Sequence, residues 1–182
     1  MKTKWNLDNA HSDVQFKVKH LVISTVTGSF SAYSADVETE GDDFSTAKIN
    51  FSADVNSIST GQEQRDGHLK SPDFFDTANH PTIDFVSTGV TKNGENAFTL
   101  NGNLTLHGVT KPVSFNVELG GIMKDPYGNI KAGFEVSGKI NRKDFGLGWN
   151  AVTEAGGVVV SEEVKLLANL QFAKVVPAEV AA

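Results

Sequence analysis

Hydrophobic and polar positions along the chain alternate with a period of two. Val14, Phe16, Val18 and His20 alternate with Asp13, Gln15, Lys17 and Lys19, and Ile49, Phe51, Ala53 and Val55 alternate with Asn50, Ser52 and Asp54. Such alternation marks a strand with one wet face and one apolar face. The pattern returns at Ile83/Phe85, at Phe98/Leu100/Gly102/Leu104/Leu106 and at Val113/Phe115/Val117/Leu119. It returns again at Ala132/Phe134/Val136/Gly138/Ile140 and at Val164/Leu166/Ala168/Leu170/Phe172. With weaker stretches over 4–8 and 29–38, it predicts about eight or nine strands.

Turn chemistry separates these runs. His107-Gly108 lies between two of them, and glycine takes the positive φ that a tight hairpin needs. Pro112 predicts that the following strand starts at a bulge or an unpaired position. Residues 92–96 and 124–129 read as two polar hairpin loops. Antiparallel meandering follows.

One segment breaks the period. Between Val55 and Ile83, Thr60 followed by Glu63 fits a capping box, and Ser71-Pro72-Asp73 fits a second helix start. One or two short helices are therefore expected within 60–76, with Leu69, Phe74 and Phe75 pointing inward. Residues 1–176 read as a single domain, and 177–182 as a frayed tail.

No long amphipathic helix is available to cover the apolar strand faces, so the sheet must close on itself or pair with another. A single antiparallel, all-β barrel of about eight strands is the expected fold. Its inward face is rich in Phe, Leu and Val, interrupted by Ala53, Gly102, Ala132, Gly138 and Ala168. Two interiors fit this pattern: a filled core, or an apolar cavity. Alternation does not measure volume.

Composition narrows the chemistry. The 182 residues include no cysteine, which removes disulfides, thiolate metal sites and thiol nucleophiles. A net charge of −6 lacks the basic face that nucleic acid requires. No apolar run reaches the roughly 18 residues of a membrane span, so no integral membrane segment is expected. The polar start Met1-Lys2-Thr3-Lys4-Trp5-Asn6 offers no signal-peptide core. As written, the chain is expected in the cytoplasm, or in the periplasm if a leader was removed.

The five histidines, His11, His20, His68, His80 and His107, form no H-x-x-x-H pair, so no metal site is expected. His11 with Asp8 and Asp13 reads as turn and cap hydrogen bonding. Gly146-Leu147-Gly148-Trp149-Asn150-Ala151 matches G-x-G-x-x-A, but no helix pattern or βαβ unit surrounds it. There is no G-x-S-x-G elbow, and Ser12 beside His11 is adjacency rather than a triad. No catalytic residue is assigned, and the protein is read as a non-enzyme.

Trp5-Asn6-Leu7-Asp8-Asn9-Ala10-His11-Ser12, followed by Phe16-Lys17-Val18-Lys19-His20, resembles the opening of the YceI-like family. Gln64-Arg65-Asp66-Gly67-His68-Leu69-Lys70-Ser71-Pro72-Asp73-Phe74-Phe75-Asp76 resembles that family's most recognisable stretch. Residues 102–113, 140–146 and 160–164 are similar to its central hairpin and final strands, in order and spacing. The resemblance implies an extended, lipocalin-like barrel whose tube holds a long-chain apolar or amphiphilic molecule. That ligand class comprises polyisoprenoids, the tails of isoprenoid quinones and fatty-acid-type chains, and no other cofactor is implied. It also implies a homodimer and, in many members, a periplasmic location.

Strand parity then nominates a tunnel lining. Val14, Phe16, Val18 and His20 come from one strand, and Phe30, Phe51 and Phe85 from three others. Phe98, Leu100 and Leu104 share a strand with one another, as do Phe115 and Val117. Phe134, Val136, Ile140 and Leu170 complete the set. Arg65, His68, Leu69, Phe74 and Phe75 are nominated as a mouth or lid. For Arg65, Asp66 and His68 two readings compete: holding a ligand head group, or pinning the excursion to the barrel. For His20 the two readings are greeting a ligand's polar head at the barrel mouth, or serving as a satisfied structural histidine. Arg142 and Asp144 read as a strand-ending turn held by its own side chains. The alternatives to a lipid binder are an enzyme acting on an isoprenoid through His20, His68 or Arg65, and a filled interaction barrel.

Overall fold

The alternating runs pair in chain order. The structure, a computed structural model, describes residues 2–20, 24–147 and 160–175; the 148–151 part of the G-x-G-x-x-A match and the 177–182 tail lie outside these. The strands are β1 (Lys2–Leu7), β2 (Asp13–His20), β3 (Ser24–Phe30), β4 (Tyr33–Glu40), β5 (Asp43–Asp54) and β6 (Ile58–Ser59). The helix α1 (Glu63–Lys70) precedes β7 (Thr82–Lys92), β8 (Ala97–Leu106), β9 (Val109–Lys124), β10 (Ile130–Asn141) and β11 (Val160–Lys174).

These segments make eight long strands, three of them interrupted once. β1 and β2 lie end to end along β11, with Leu7 opposite Phe172 and Asp13 opposite Asn169. At the break the Asp8 amide donates to the Gln171 carbonyl at 2.8 Å, and the Gln171 amide donates to Ser12 Oγ at 2.9 Å. β3 and β4 continue each other in the same way beside β2 and β1. β5 runs on into β6 through a 3-10 turn, Val55–Ser57, which Asp54 caps by accepting the Asn56 amide at 2.9 Å. Neighbours then follow in sequence order, and β1 pairs with β11 to close the ring. The result is a closed, antiparallel, lipocalin-like barrel. β9 and β11, with 16 and 15 residues, each extend about 50 Å along the strand.

The hairpin at His107-Gly108 has positive φ at both residues, 53° and 73°, the geometry that matches strand twist. Pro112 departs from expectation, lying in regular register opposite Asn103. Pairs alternate from the turn-closing Leu106–Val109, so Pro112 falls at a non-hydrogen-bonded position with its nitrogen turned away from β8. The β10 ladder on its other side begins only at Asn116.

The excursion also differs. Ser71-Pro72-Asp73 forms turns rather than a second helix, and Gln62, not Thr60, precedes the first turn of α1. Thr60 is instead bound sideways: its amide and hydroxyl both donate to Asp66 Oδ1, at 2.8 and 2.5 Å. Arg65 Nε donates to the Thr60 hydroxyl at 2.7 Å.

Small residues on the inner face do not simply leave gaps. Phe16 lies over Gly28, Phe85 over Gly102 and Phe115 over Gly138; a Cβ at each glycine would fall 2.1, 2.4 and 2.5 Å from the ring. The missing side chains leave room for three phenyl rings close against the barrel wall.

Candidate functional site

Inward parity from all eight strands converges on one cavity of about 260 Å³. Eleven of the twelve phenylalanines border it; only Phe145 does not. Among the described residues, Gln15 and Arg142 are the only polar residues on its lining. One end is packed by aromatic rings: Trp5 against Phe44 at 4.9 Å, Phe44 against Phe134 at 4.8 Å, and Phe134 against Phe172 at 6.0 Å between centroids. Trp5 is buried, and its indole N–H donates to Thr39 Oγ1 at 3.0 Å. At the other end the excursion reaches in. Phe75 meets Phe30 edge-on at 6.5 Å, and Leu69 and Phe74 border the cavity beside it.

The structure brings most of the nominated tunnel residues together. Val14, Phe16, Val18, Phe30, Phe51 and Phe85 border the cavity, as do Phe98, Leu100, Leu104, Phe115 and Val117. Phe134, Val136, Ile140 and Leu170 also border it. His20 does not: it sits opposite Val160, past a register shift in the β2–β11 ladder that ends the regular stripe at Val18. Of the mouth residues, Leu69, Phe74 and Phe75 border the cavity, whereas Arg65 and His68 do not. Arg65 spends its guanidinium on Thr60, with Nη2 donating to the Thr60 carbonyl at 2.8 Å. His68 pairs with Asp73 at 2.9 Å and packs edge-on against Phe74. Both are fastened within the excursion. Leu167, on outward parity, is half-buried and also borders the cavity.

Two lining residues escape the parity argument. Phe44 and Val90 border the cavity, yet each is five residues from its inward neighbour, Ile49 or Phe85. The β7–β8 ladder shifts register between Ser87 and Gly89, and β4–β5 shifts between Glu38 and Glu40. A bulge inverts parity beyond it, which is why strict alternation passes over these positions.

Arg142 is the charged exception, 3% exposed, in a 3-10 turn (Arg142–Phe145) after β10. Its nitrogens donate to the carbonyls of Leu147 at 2.6 Å, Ser161 at 2.8 Å and Val160 at 3.2 Å. Burial lowers its pKa, and the nearby Glu162 carboxylate opposes that shift. The guanidinium thus ties the end of β10 to the start of β11, consistent with a turn held by its own side chains.

The hydroxyl of Ser12 donates to the Asp8 carbonyl at 2.7 Å, so it is not poised on His11 as a nucleophile. His11 Nδ1 lies 2.9 Å from Asp8 Oδ2, and Lys131 Nζ lies 3.2 Å from the same oxygen. The His11 hydrogen bond, with help from Lys131 and against partial desolvation, holds the Asp8 carboxyl below the usual carboxylate range. No helix among the described residues is long and apolar enough to cross a membrane.

An eight-stranded meander closed around an apolar tube, with a helical excursion over one end, defines a lipocalin-like barrel. The chain belongs to the YceI-like family, whose YceI-like domain model matches residues 5–172. A UPF0312 protein of Staphylococcus aureus (strain N315) is 40% identical over 93% of this chain and 97% of its own length. The Campylobacter jejuni YceI protein superposes with a TM-score of 0.75 at 32% identity, over 91% of this chain and 95% of its own. A polyisoprenoid-binding domain from Saccharophagus degradans, implicated in plant cell wall breakdown, has the same fold. Its TM-score is 0.67 at 20% identity, covering 93% of this chain and 97% of its own.

Proposed function

We propose that the protein binds a polyisoprenoid, or an amphiphile with an isoprenoid tail such as a quinone, inside the barrel, and acts as a carrier or store rather than a catalyst. One observation carries the reading: a closed tube bordered by eleven phenylalanines, with two polar residues on its lining. Such a surface offers a flexible chain desolvation and little else, and at about 25 cal/mol per Å² a ligand burying about 400 Å² gains about 10 kcal/mol before association costs. Phe16, Phe51, Phe98, Phe115 and Phe134 would touch the chain along its length, and Leu69, Phe74 and Phe75 would move to admit it. The polyisoprenoid-binding domain of the same fold supports the choice of ligand class.

Mass spectrometry of organic extracts from the purified protein tests this. The expected result is a co-purifying isoprenoid in stoichiometric amount, or saturable uptake of polyprenyl chains by delipidated protein. A clean extract together with no uptake of polyprenyl or acyl chains would sink it.

A further inference from the structure

The excursion brings together a second set of chemistry-bearing side chains, outside the tube. One carboxylate oxygen of Asp76 and one ring nitrogen each of His80 and His107 lie within 4.8 Å of one another, all three residues half-buried. Two elements build the grouping. The amides of Asn79 and His80 donate to the Asp76 carbonyl at 3.1 and 2.8 Å, a turn that brings residues 76 and 80 close together, with Asp76 at a φ of 49°. Asp76 Oδ2 also accepts from Asn79 Nδ2 at 2.9 Å, which orients the carboxylate.

His107 arrives from the β8–β9 turn, where its Nδ1 lies 3.2 Å from the Phe145 carbonyl. A carbonyl only accepts, so in the neutral imidazole this contact places the proton on Nδ1 and leaves the Nε2 lone pair for a ligand. That second contact is the usual way a ligating imidazole is held in one tautomer. The His80 ring lies against Gly108, its Cε1 2.7 Å from where a Cβ would stand, and meets His107 with ring centroids 4.9 Å apart. Glycine at 108 is thus needed twice, for its φ of +73° and for the room it leaves His80.

We propose that Asp76, His80 and His107 form a binding site for a divalent transition-metal ion of the zinc class. Two imidazole nitrogens and one carboxylate oxygen suit a borderline cation, whereas magnesium and calcium need more oxygen ligands than the single carboxylate here. Zinc bonds of about 2.1 Å put tetrahedral ligand atoms about 3.4 Å apart, so the three groups need only draw together by an ångström or so. Three protein ligands leave a fourth position for water or an anionic group. The other close histidine–carboxylate contacts, His11–Asp8 and His68–Asp73, are more exposed pairs. Among the described residues, this is the one group of three. Its position has a consequence: the preceding residues, Phe75 and Leu106, both border the cavity. A bound ion would bridge the end of the excursion to the barrel wall and fasten the cover of the tube.

Chelator-treated full-length protein, titrated with zinc chloride by calorimetry and with cobalt chloride by visible absorption, tests the assignment. One-to-one zinc binding is expected, with the cobalt d–d bands of a four- or five-coordinate site and no competition from magnesium. His80→Gln, His107→Gln and Asp76→Asn should each weaken zinc by about tenfold or more, while His11→Gln and His68→Gln leave it unchanged. If a ligand variant does not fold, imidazole NMR signals of the wild-type protein decide: zinc should shift those of His80 and His107 and spare His11 and His68. No saturable binding, affinity unchanged in the three ligand variants, or shifts confined to other histidines would overturn the proposal.

Discussion

Gly138 and Gly102 show how much one hydrogen-for-methyl exchange can matter. A Cβ at Gly138 would stand 2.5 Å from the Phe115 ring, and one at Gly102 would meet both the Phe85 ring and the Val86 carbonyl at about the same distance. Gly138→Ala should therefore push Phe115 off its rotamer toward the lumen and destabilise the fold by about 1–3 kcal/mol, read from the midpoint of chemical denaturation. In the sequence these glycines read as gaps in an apolar stripe; which ring folds over them is set across strands and is not local information. Asp8 offers a second prediction at this scale. Its pKa is lower folded than unfolded, mainly through His11, so its contribution to stability is present above the unfolded carboxylate value and is lost as pH falls through the folded one. Asp8→Asn should lower the denaturation midpoint near neutral pH, and the gap to wild type should narrow as pH drops below about 4. A gap that widens in acid would contradict the assignment.

Elements were legible where period two ran uninterrupted. The stretches around Phe16, Phe98, Phe115 and Phe134 announce their strands and inward faces directly, and the two-residue turn at His107-Gly108 announces its hairpin. What was not legible sits at interruptions. The shift near Ser87 flips Val90 inward, and the irregular start of β5 hides Phe44, because a bulge is decided by pairing with a neighbour rather than by local text. The excursion misled for a related reason: Thr60 has the residue type of a cap, but Asp66 and Arg65 captured its polar groups first. That network makes a prediction. Asp66→Ala removes the acceptor for both the Thr60 amide and hydroxyl, leaving a part-buried donor to find water. Amide exchange across 60–70 should speed up by about tenfold or more, while β8–β10 exchange stays near wild type. Uniform acceleration would mean instead that the excursion and barrel open as one unit.

At the scale of the whole molecule, closure was predictable and openness was not. Eight amphipathic strands without a covering helix leave a sheet little choice but to bury its face against itself, and twelve phenylalanines guarantee that the face is apolar. Whether rings fill the tube depends on where they lie. Phe16, Phe85 and Phe115 lie over glycines, whereas Trp5, Phe44, Phe134 and Phe172 pack one end, and a cavity of about 260 Å³ remains. This distribution separates a container from a filled barrel, and it can be tested without knowing the ligand. Val136 is half-buried on β10 opposite Val117, with its side chain on the cavity. Val136→Trp adds an indole where the structure holds space rather than packed atoms. A filled core would answer with an overpacking cost of about 1–3 kcal/mol. A container should keep its cooperative unfolding transition close to wild type and lose bound polyprenyl chain by about tenfold or more, as occupancy measured by mass spectrometry of extracts. Normal ligand load with a strongly lowered Tm is the opposite pattern, and it would place the bound chain somewhere other than the middle of the tube.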